Sequence, residues 1–180
     1  MTQFIFVRHG ESEANFAGFV NDDPLKLVAL TARGQAQAAE VAEVLRDTPF
    51  SRAYASEFPR AQQTLAPILA YQACDALVDA RINERKSGLD GQPCAAFDRW
   101  VDADPATPLP CGESFVEQMA RVRAFMDEVA ALDPDATVLA VSHENPILAA
   151  LAVAGMPAAQ AARGRVANCA RVEIQWPLSV

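Results

Sequence analysis

Apolar residues along this 180-residue chain follow two alternating rhythms. Short runs rich in β-branched and aromatic residues read as strands: "FIFV" (4–7), "AYAS" (53–56), "ALVDA" (76–80), "TVLAVS" (137–142) and "CARVEIQW" (169–176). Between them lie Ala-rich segments with helical spacing. "TARGQAQAAEVAEVLRD" opens on Thr31, a good N-cap, and stops near Pro49. "PRAQQTLAPILAYQ" places Pro59 in a first helical turn, where a missing N–H is tolerated, whereas Pro67 should kink or shorten that helix. The clearest helix covers 114–132, in which Phe115, Met119, Val122, Met126 and Val129 form one apolar stripe that reads as core. Ser114 and Glu117 make a capping box at its start.

Strands alternating with helices predict an α/β fold: a three-layer, doubly wound, mostly parallel sheet with helices on both faces. The last strand is expected at an edge, running in the opposite sense. No repeat or linker divides the chain, so residues 1–180 read as a single domain. The loop-like stretch "DADPATPLPCG" (102–112) is too short for a linker and reads as a flap over a site.

Composition narrows the function classes. With 51% hydrophobic and 21% charged residues, the profile is that of a soluble globular protein. No stretch reads as a membrane span or a secretory leader, and a cytoplasmic location is the expectation. Cys74, Cys94, Cys111 and Cys169 are scattered without a C-x-x-C pair, so free and mostly buried thiols are expected rather than zinc ligands. A net charge of −8 argues against nucleic acid as a partner. A small anion remains possible if cationic groups converge locally. Nothing in the sequence speaks to oligomeric state.

Such a convergence is visible at the strand tips, where ligands bind in open α/β sheets. Strand 4–7 delivers Arg8, His9 and Gly10; strand 53–56 delivers Ser56 and, one helical turn later, Arg60; strand 137–142 delivers His143, Glu144 and Asn145. Both histidines of the chain therefore occupy equivalent positions.

"VRHGES" followed by Asn15, then "LTARGQAQA", "ASEFPRAQQT", "INERKSGLDG", "AVSHENPI" and "ANCA", occur in order along the chain. In these motifs the sequence resembles the histidine phosphatase superfamily, the phosphoglycerate mutase-like group, over essentially its whole length. The resemblance implies that His9 is a nucleophile forming a phosphohistidine, a role suited to an imidazole that is neutral near pH 7. It implies that Arg8, Asn15, Arg60 and His143 bind the phosphoryl group, with His143 also bonding an oxygen that gains charge in the transition state. Glu84 matches the proton donor, which favours phosphomonoester substrates. Side chains would neutralise the phosphate, so neither metal nor cofactor is implied.

Two departures from the family pattern shape the reading. Glu144 stands where glycine is common; it is expected to point outward or to contact a cationic or hydroxyl part of the substrate. The middle segment is short, and Arg99 is its one basic residue between 87 and 120, so the basic clamp of the mutases is missing. Hydrolysis of phosphomonoesters is therefore preferred over mutase-type transfer, with a non-catalytic phospho-ligand binder as a third possibility. The loops 16–27, 86–93 and 102–112 are mostly not basic, which suggests a neutral or moderately polar leaving group.

Overall fold

A computed structural model describes residues 1–176 and contains a five-stranded sheet in the order β3-β2-β4-β1-β5. The strands are β1 (Thr2–Arg8), β2 (Arg52–Ala55), β3 (Ala76–Val78), β4 (Thr137–Ser142) and β5 (Arg171–Trp176). β1, β4, β2 and β3 run parallel, while β5 pairs antiparallel with β1 at the edge, as the pattern predicts. The opposite edge, β3, has only three residues, all exposed.

Alternation along the two central strands explains the layers. Phe4, Phe6, Val138 and Ala140 face one side of the sheet; Ile5, Val7, Leu139 and Val141 face the other. Both rows are apolar, so each face must be covered. The first is covered by α5 (Phe115–Leu132) and α6 (Glu144–Val153), the second by α2 (Ala32–Leu45) and α3 (Pro59–Leu69). The short helices α1 (Glu13–Ala17), α4 (Cys94–Asp98) and α7 (Ala158–Ala162) lie in the connections.

Helix limits follow local chemistry. Thr31 caps α2 by accepting from the Gly34 N–H, and α3 ends two residues beyond Pro67. The capping box of α5 forms in full: the Glu117 N–H donates to Ser114 Oγ (3.1 Å), and the Ser114 N–H to Glu117 Oε2 (2.7 Å). The core stripe of α5 is wider than its expected positions. Phe125 is fully buried against Tyr54 (centroids 5.1 Å apart), whereas Met119 is only partly buried.

The cysteines correct one expectation. Cys94 and Cys111 are exposed, and Cys74 and Cys169 lie at intermediate depth, because they sit in loops and short elements rather than on core faces. Among the described residues no helix is long and apolar enough to cross a membrane.

What places the site is the pairing of β1 with β4. Arg8 lies opposite Ser142 in parallel register, so the chains leave the sheet side by side, and the His9 N–H donates to the Ser142 carbonyl (2.9 Å). The chain then passes close to α2. A Cβ on Gly10 would lie 2.4 Å from the Gly34 carbonyl oxygen, and one on Gly34 only 2.0 Å from that of Glu11. Gly34→Ala is accordingly predicted to lower the thermal midpoint, by the equivalent of ~1–3 kcal/mol of overpacking. Helix propensity alone would favour alanine here, so a raised midpoint in a melting experiment would show that α2 does not press on this loop.

Candidate active site

The three strand tips converge on a cavity of about 310 Å³. Arg8, His9, Asn15, Arg60 and Glu84 line it directly. His143 lies immediately behind, its ring centroid 5.0 Å from that of His9. All the residues expected at the site are thus brought together.

His9 is 2% exposed and its protonation is fixed by its neighbours. Nδ1 lies 2.7 Å from the Gly10 carbonyl oxygen, which can only accept, so Nδ1 carries the hydrogen. Nε2 is left with its lone pair and accepts from Arg60 Nε at 3.1 Å. Burial, then the charges of Arg60 and Arg8, hold the pKa of His9 well below the usual histidine range.

The same guanidinium fixes His143. Arg60 Nη2 lies 3.2 Å from His143 Nδ1, and an arginine has no acceptor, so that nitrogen bears no hydrogen. Its Nε2–H instead donates to Ser56 Oγ (2.8 Å), which also accepts from the Phe58 N–H (3.3 Å). Burial and the cations Arg60, Arg8 and Arg121, together with His9, hold His143 well below the ordinary range.

Arg60 is itself buried, at 3% exposure, over the Phe58 ring (4.3 Å). Its other terminal groups donate to the side chain and the carbonyl of Asn21. Desolvation lowers its pKa to about 10. The backbone is tied in as well. Thr64 Oγ1 accepts from the Gly10 N–H (3.0 Å) and donates to the Arg60 carbonyl (2.7 Å), and Asn168 Nδ2 donates to the His9 carbonyl (2.9 Å).

Glu84 faces the cavity from the loop after the single helical turn Ala80–Ile82. Ser142 Oγ donates to the Ile82 carbonyl (2.7 Å), and Arg121 donates to the carbonyls of Arg81 (2.6 Å) and Glu84 (3.2 Å) while paired with Glu113. Burial raises the Glu84 pKa; the Arg85 N–H, Arg60 and Asn145 oppose that shift in part. His9 and Glu84, pushed in opposite directions, are therefore both biased toward their neutral forms.

Asn15 uses Oδ1 to accept from the N–H and hydroxyl of Ser12 (both 3.1 Å), leaving Nδ2 free of that capping role.

Glu144 does not point outward: it lines the cavity and is held by protein partners. Oε2 accepts from Arg8 Nη1 (2.8 Å) and from the Val166 N–H (3.1 Å), and Arg165 lies 3.8 Å from Oε1. Arg8 also donates to the Val166 carbonyl, and its Nε is buried without a partner. The reason is proximity: Glu144 begins α6 at the tip of β4, beside the end of β1 that carries Arg8.

The flap expectation needs correction too. Segment 102–112 does not line this cavity; Cys111 and Gly112 instead line a neighbouring one of about 750 Å³, which shares Glu84. The outer wall of the His9 cavity is made by Phe19, Val20 and the α4 residues Cys94, Phe97 and Asp98. Arg85 and Arg165 also line it, so the leaving-group side is more basic than the loop composition suggests. Arg85 was within reach of sequence reasoning, since it follows Glu84 in the quoted "INERKSG"; Arg165 and Asn21 carried no local signal.

The sequence profile of the histidine phosphatase superfamily (branch 1) matches residues 4–178. The chain belongs to that superfamily. Within the histidine phosphatases it is 33% identical to a protein of Proteus mirabilis (strain HI4320) named probable phosphoglycerate mutase GpmB, over 97% of this chain and 86% of that one. Its structure is similar to a mycobacterial glucosyl-3-phosphoglycerate phosphatase solved with VO3, at a TM-score of 0.85 and 25% identity over 99% of this chain and 97% of that one. Bacillus stearothermophilus YhfR shares the fold at a TM-score of 0.86 and 20% identity, covering 97% and 91% of the two chains.

The Glu144–Arg8 pair puts a carboxylate in the wall of a cavity whose cations face inward. Glu144→Gln keeps an acceptor for Arg8 but removes the charge. Competitive binding of inorganic phosphate is predicted to tighten about tenfold, ~1.4 kcal/mol. An unchanged inhibition constant would place the carboxylate beyond the reach of the bound anion.

Proposed function

We propose that this histidine phosphatase hydrolyses phosphomonoesters through a phosphohistidine at His9, with Glu84 as the proton donor. The observation that carries the reading is the protonation pattern: a neutral imidazole with its Nε2 lone pair inside the cavity, beside a carboxyl biased toward its acid form.

The phosphoryl group enters where the Arg60 edge meets the two imidazoles. Arg60 and Arg8 take its oxygens, and Asn15 Nδ2 adds a donor from α1. His9 Nε2 attacks phosphorus in line with the ester oxygen; the P–O bond breaks as the P–N bond forms. Glu84 gives its proton to the departing oxygen, since an alkoxide is a poor leaving group. The resulting carboxylate then takes a proton from water as that water attacks the phosphohistidine, releasing phosphate and restoring both groups. For His143 to donate to a phosphoryl oxygen, Nδ1 must gain a hydrogen, which a monoanionic phosphomonoester can supply on entering.

The name of the Proteus relative favours a second reading, phosphoryl transfer to a phosphoglycerate in place of water. Against it, Arg99 does not line the cavity, and no other basic residue lies between 87 and 120 to retain a bisphosphate intermediate. The two readings part on one substrate: with 3-phosphoglycerate, a hydrolase releases inorganic phosphate and a mutase yields its isomer.

Turnover of 4-nitrophenyl phosphate is expected to persist in EDTA, and rapid quenching should trap labelled phosphate on the wild-type protein but not on His9→Ala. Binding without turnover would instead support a phospho-ligand binder. Glu84→Gln should lower kcat/KM for alkyl phosphates by ~10²–10³-fold, with a smaller loss for 4-nitrophenyl phosphate, whose leaving group needs little protonation. The sign of the pH dependence follows from the two shifts. His9 must be neutral, and its lowered pKa moves the rising limb toward acid; Glu84 must be protonated, so kcat/KM falls as pH rises through its elevated pKa. Equal losses on both esters in Glu84→Gln would remove Glu84 as the acid.

A further inference from the structure

The motif "ANCA" (167–170) has no part in the chemistry described so far. Its residues form a turn between α7 and β5, closed by the Ala170 N–H donating to the Ala167 carbonyl (3.0 Å). Cys169 lies in the left-handed region, at φ 57°, which a residue with a side chain keeps where its surroundings hold it there. The hold is the end of β1. The Cys169 N–H donates to the Arg8 carbonyl (2.9 Å), and the Arg8 N–H to the Ala170 carbonyl (3.1 Å). One residue on, past the end of the β1–β5 ladder, the Asn168 side chain takes over, and its Nδ2 donates to the His9 carbonyl (2.9 Å).

That bond decides the direction of two amides. A carbonyl oxygen can only accept, so the Asn168 atom beside His9 is the nitrogen. The same nitrogen lies 3.3 Å from the Asn15 side chain, whose facing atom is then the oxygen. Asn15 Oδ1 thus meets three donors: Asn168 Nδ2 and, at 3.1 Å each, the N–H and the hydroxyl of Ser12. Turned over, the Asn15 amide would set N–H against Asn168 Nδ2 and against the Ser12 N–H, and only the Ser12 hydroxyl could rotate to accept. Asn15 lines the His9 cavity, so Nδ2 is the end left to face a ligand.

We infer that Asn168 is a positioning residue of the phosphoryl site, tied to the His9 carbonyl and holding Asn15 so that Nδ2 points at the bound anion. The inference rests on the proposed role of Asn15 in binding the phosphoryl group. Asn168 does not line the cavity itself and acts through Asn15. The residue type suits the task. One amide nitrogen carries two hydrogens, one for each acceptor, whereas a hydroxyl has one and a carboxylate none.

The test is a double-mutant cycle on anion binding, measured calorimetrically with orthovanadate as the probe. Asn15→Ala and Asn168→Ala should each weaken binding about tenfold, the scale of a hydrogen bond to a charged group. Together they should weaken it no more than about threefold beyond either alone, whereas independent losses would multiply to about a hundredfold. Multiplied losses overturn the inference, as does wild-type affinity in either single variant. A role in folding alone would lower the thermal midpoint of Asn168→Ala and leave the affinity of the folded protein unchanged, which overturns it too. If the alanine variant does not fold, Asn168→Ser carries the same cycle with the same outcomes. A wild type that binds no orthovanadate overturns the inference together with the phosphoryl site. Should wild type bind orthovanadate but hydrolyse no phosphomonoester, the hydrolase reading fails and the cycle still decides the role of Asn168.

Discussion

One guanidinium edge governs the chemistry of this pocket. Arg60 presents Nε to His9 and Nη2 to His143, and because arginine can only donate, both imidazoles must offer lone pairs to it. Neither ring can rest as an imidazolium against that edge without setting N–H against N–H. Burial acts in the same direction on both rings, so charge repulsion and desolvation agree. The bond from His9 Nδ1 to the Gly10 carbonyl then leaves Nε2 as the ring nitrogen with a lone pair in the cavity. Much of the remaining structure around the pocket serves to hold that edge in place. Asn21 grips its far side, the Phe58 ring lies beneath it, and Thr64 ties its backbone to Gly10.

The arrangement reconciles an acidic protein with the anionic ligand proposed for it. A formal charge of −8 repels anions at a distance, but screening confines that field to about 10 Å at moderate salt. Inside the cavity, the local balance of arginines against carboxylates decides binding. The acidic wall has a compensating use. With Arg8 paired to Glu144 and Arg165 to Asp98, part of the cationic field is neutralised before a ligand arrives. Among the described residues, Arg60 and Arg85 are the lining guanidiniums without an ion pair to a carboxylate.

The fold and the inner site were legible in the sequence for a physical reason. Buried parallel strands need continuous apolar runs, and a polar residue at the end of such a run has few places to go except the ligand crevice. His9 and His143 are adjacent because β1 and β4 pair in register, and the runs "FIFV" and "TVLAVS" located both tips before any pairing was known. The outer wall was less legible. α4 is five residues long, with no residue fully buried, so neither periodicity nor capping marks it. Composition placed segment 102–112 over the site, yet composition holds no information about direction, and that segment turned toward the neighbouring cavity. For Glu144 the sequence leaves open an outward position or a substrate contact, because it cannot show that an arginine from another strand lies within reach. Gln118 is a further case: it lies on the buried face of α5, fully buried and with neither side-chain atom bonded, although the apolar stripe read from the sequence passes through Met119 instead.

Glu84 and Arg85 show how one chain position can separate two electrostatic tasks. They are consecutive and line the same cavity, and desolvation disfavours both charges with different outcomes: it favours the neutral carboxyl of Glu84, whereas the guanidinium stays charged through any physiological range even with its pKa lowered. The carboxyl can relieve the cost of burial by keeping a proton, which is the form an acid catalyst requires. The arginine has no such escape and gains only by finding an anion. Arg121 and Glu113 fix both residues, one through the Glu84 carbonyl and the other through its own carbonyl to Arg85 Nε. The loop therefore offers a proton at one point and a positive charge at the next.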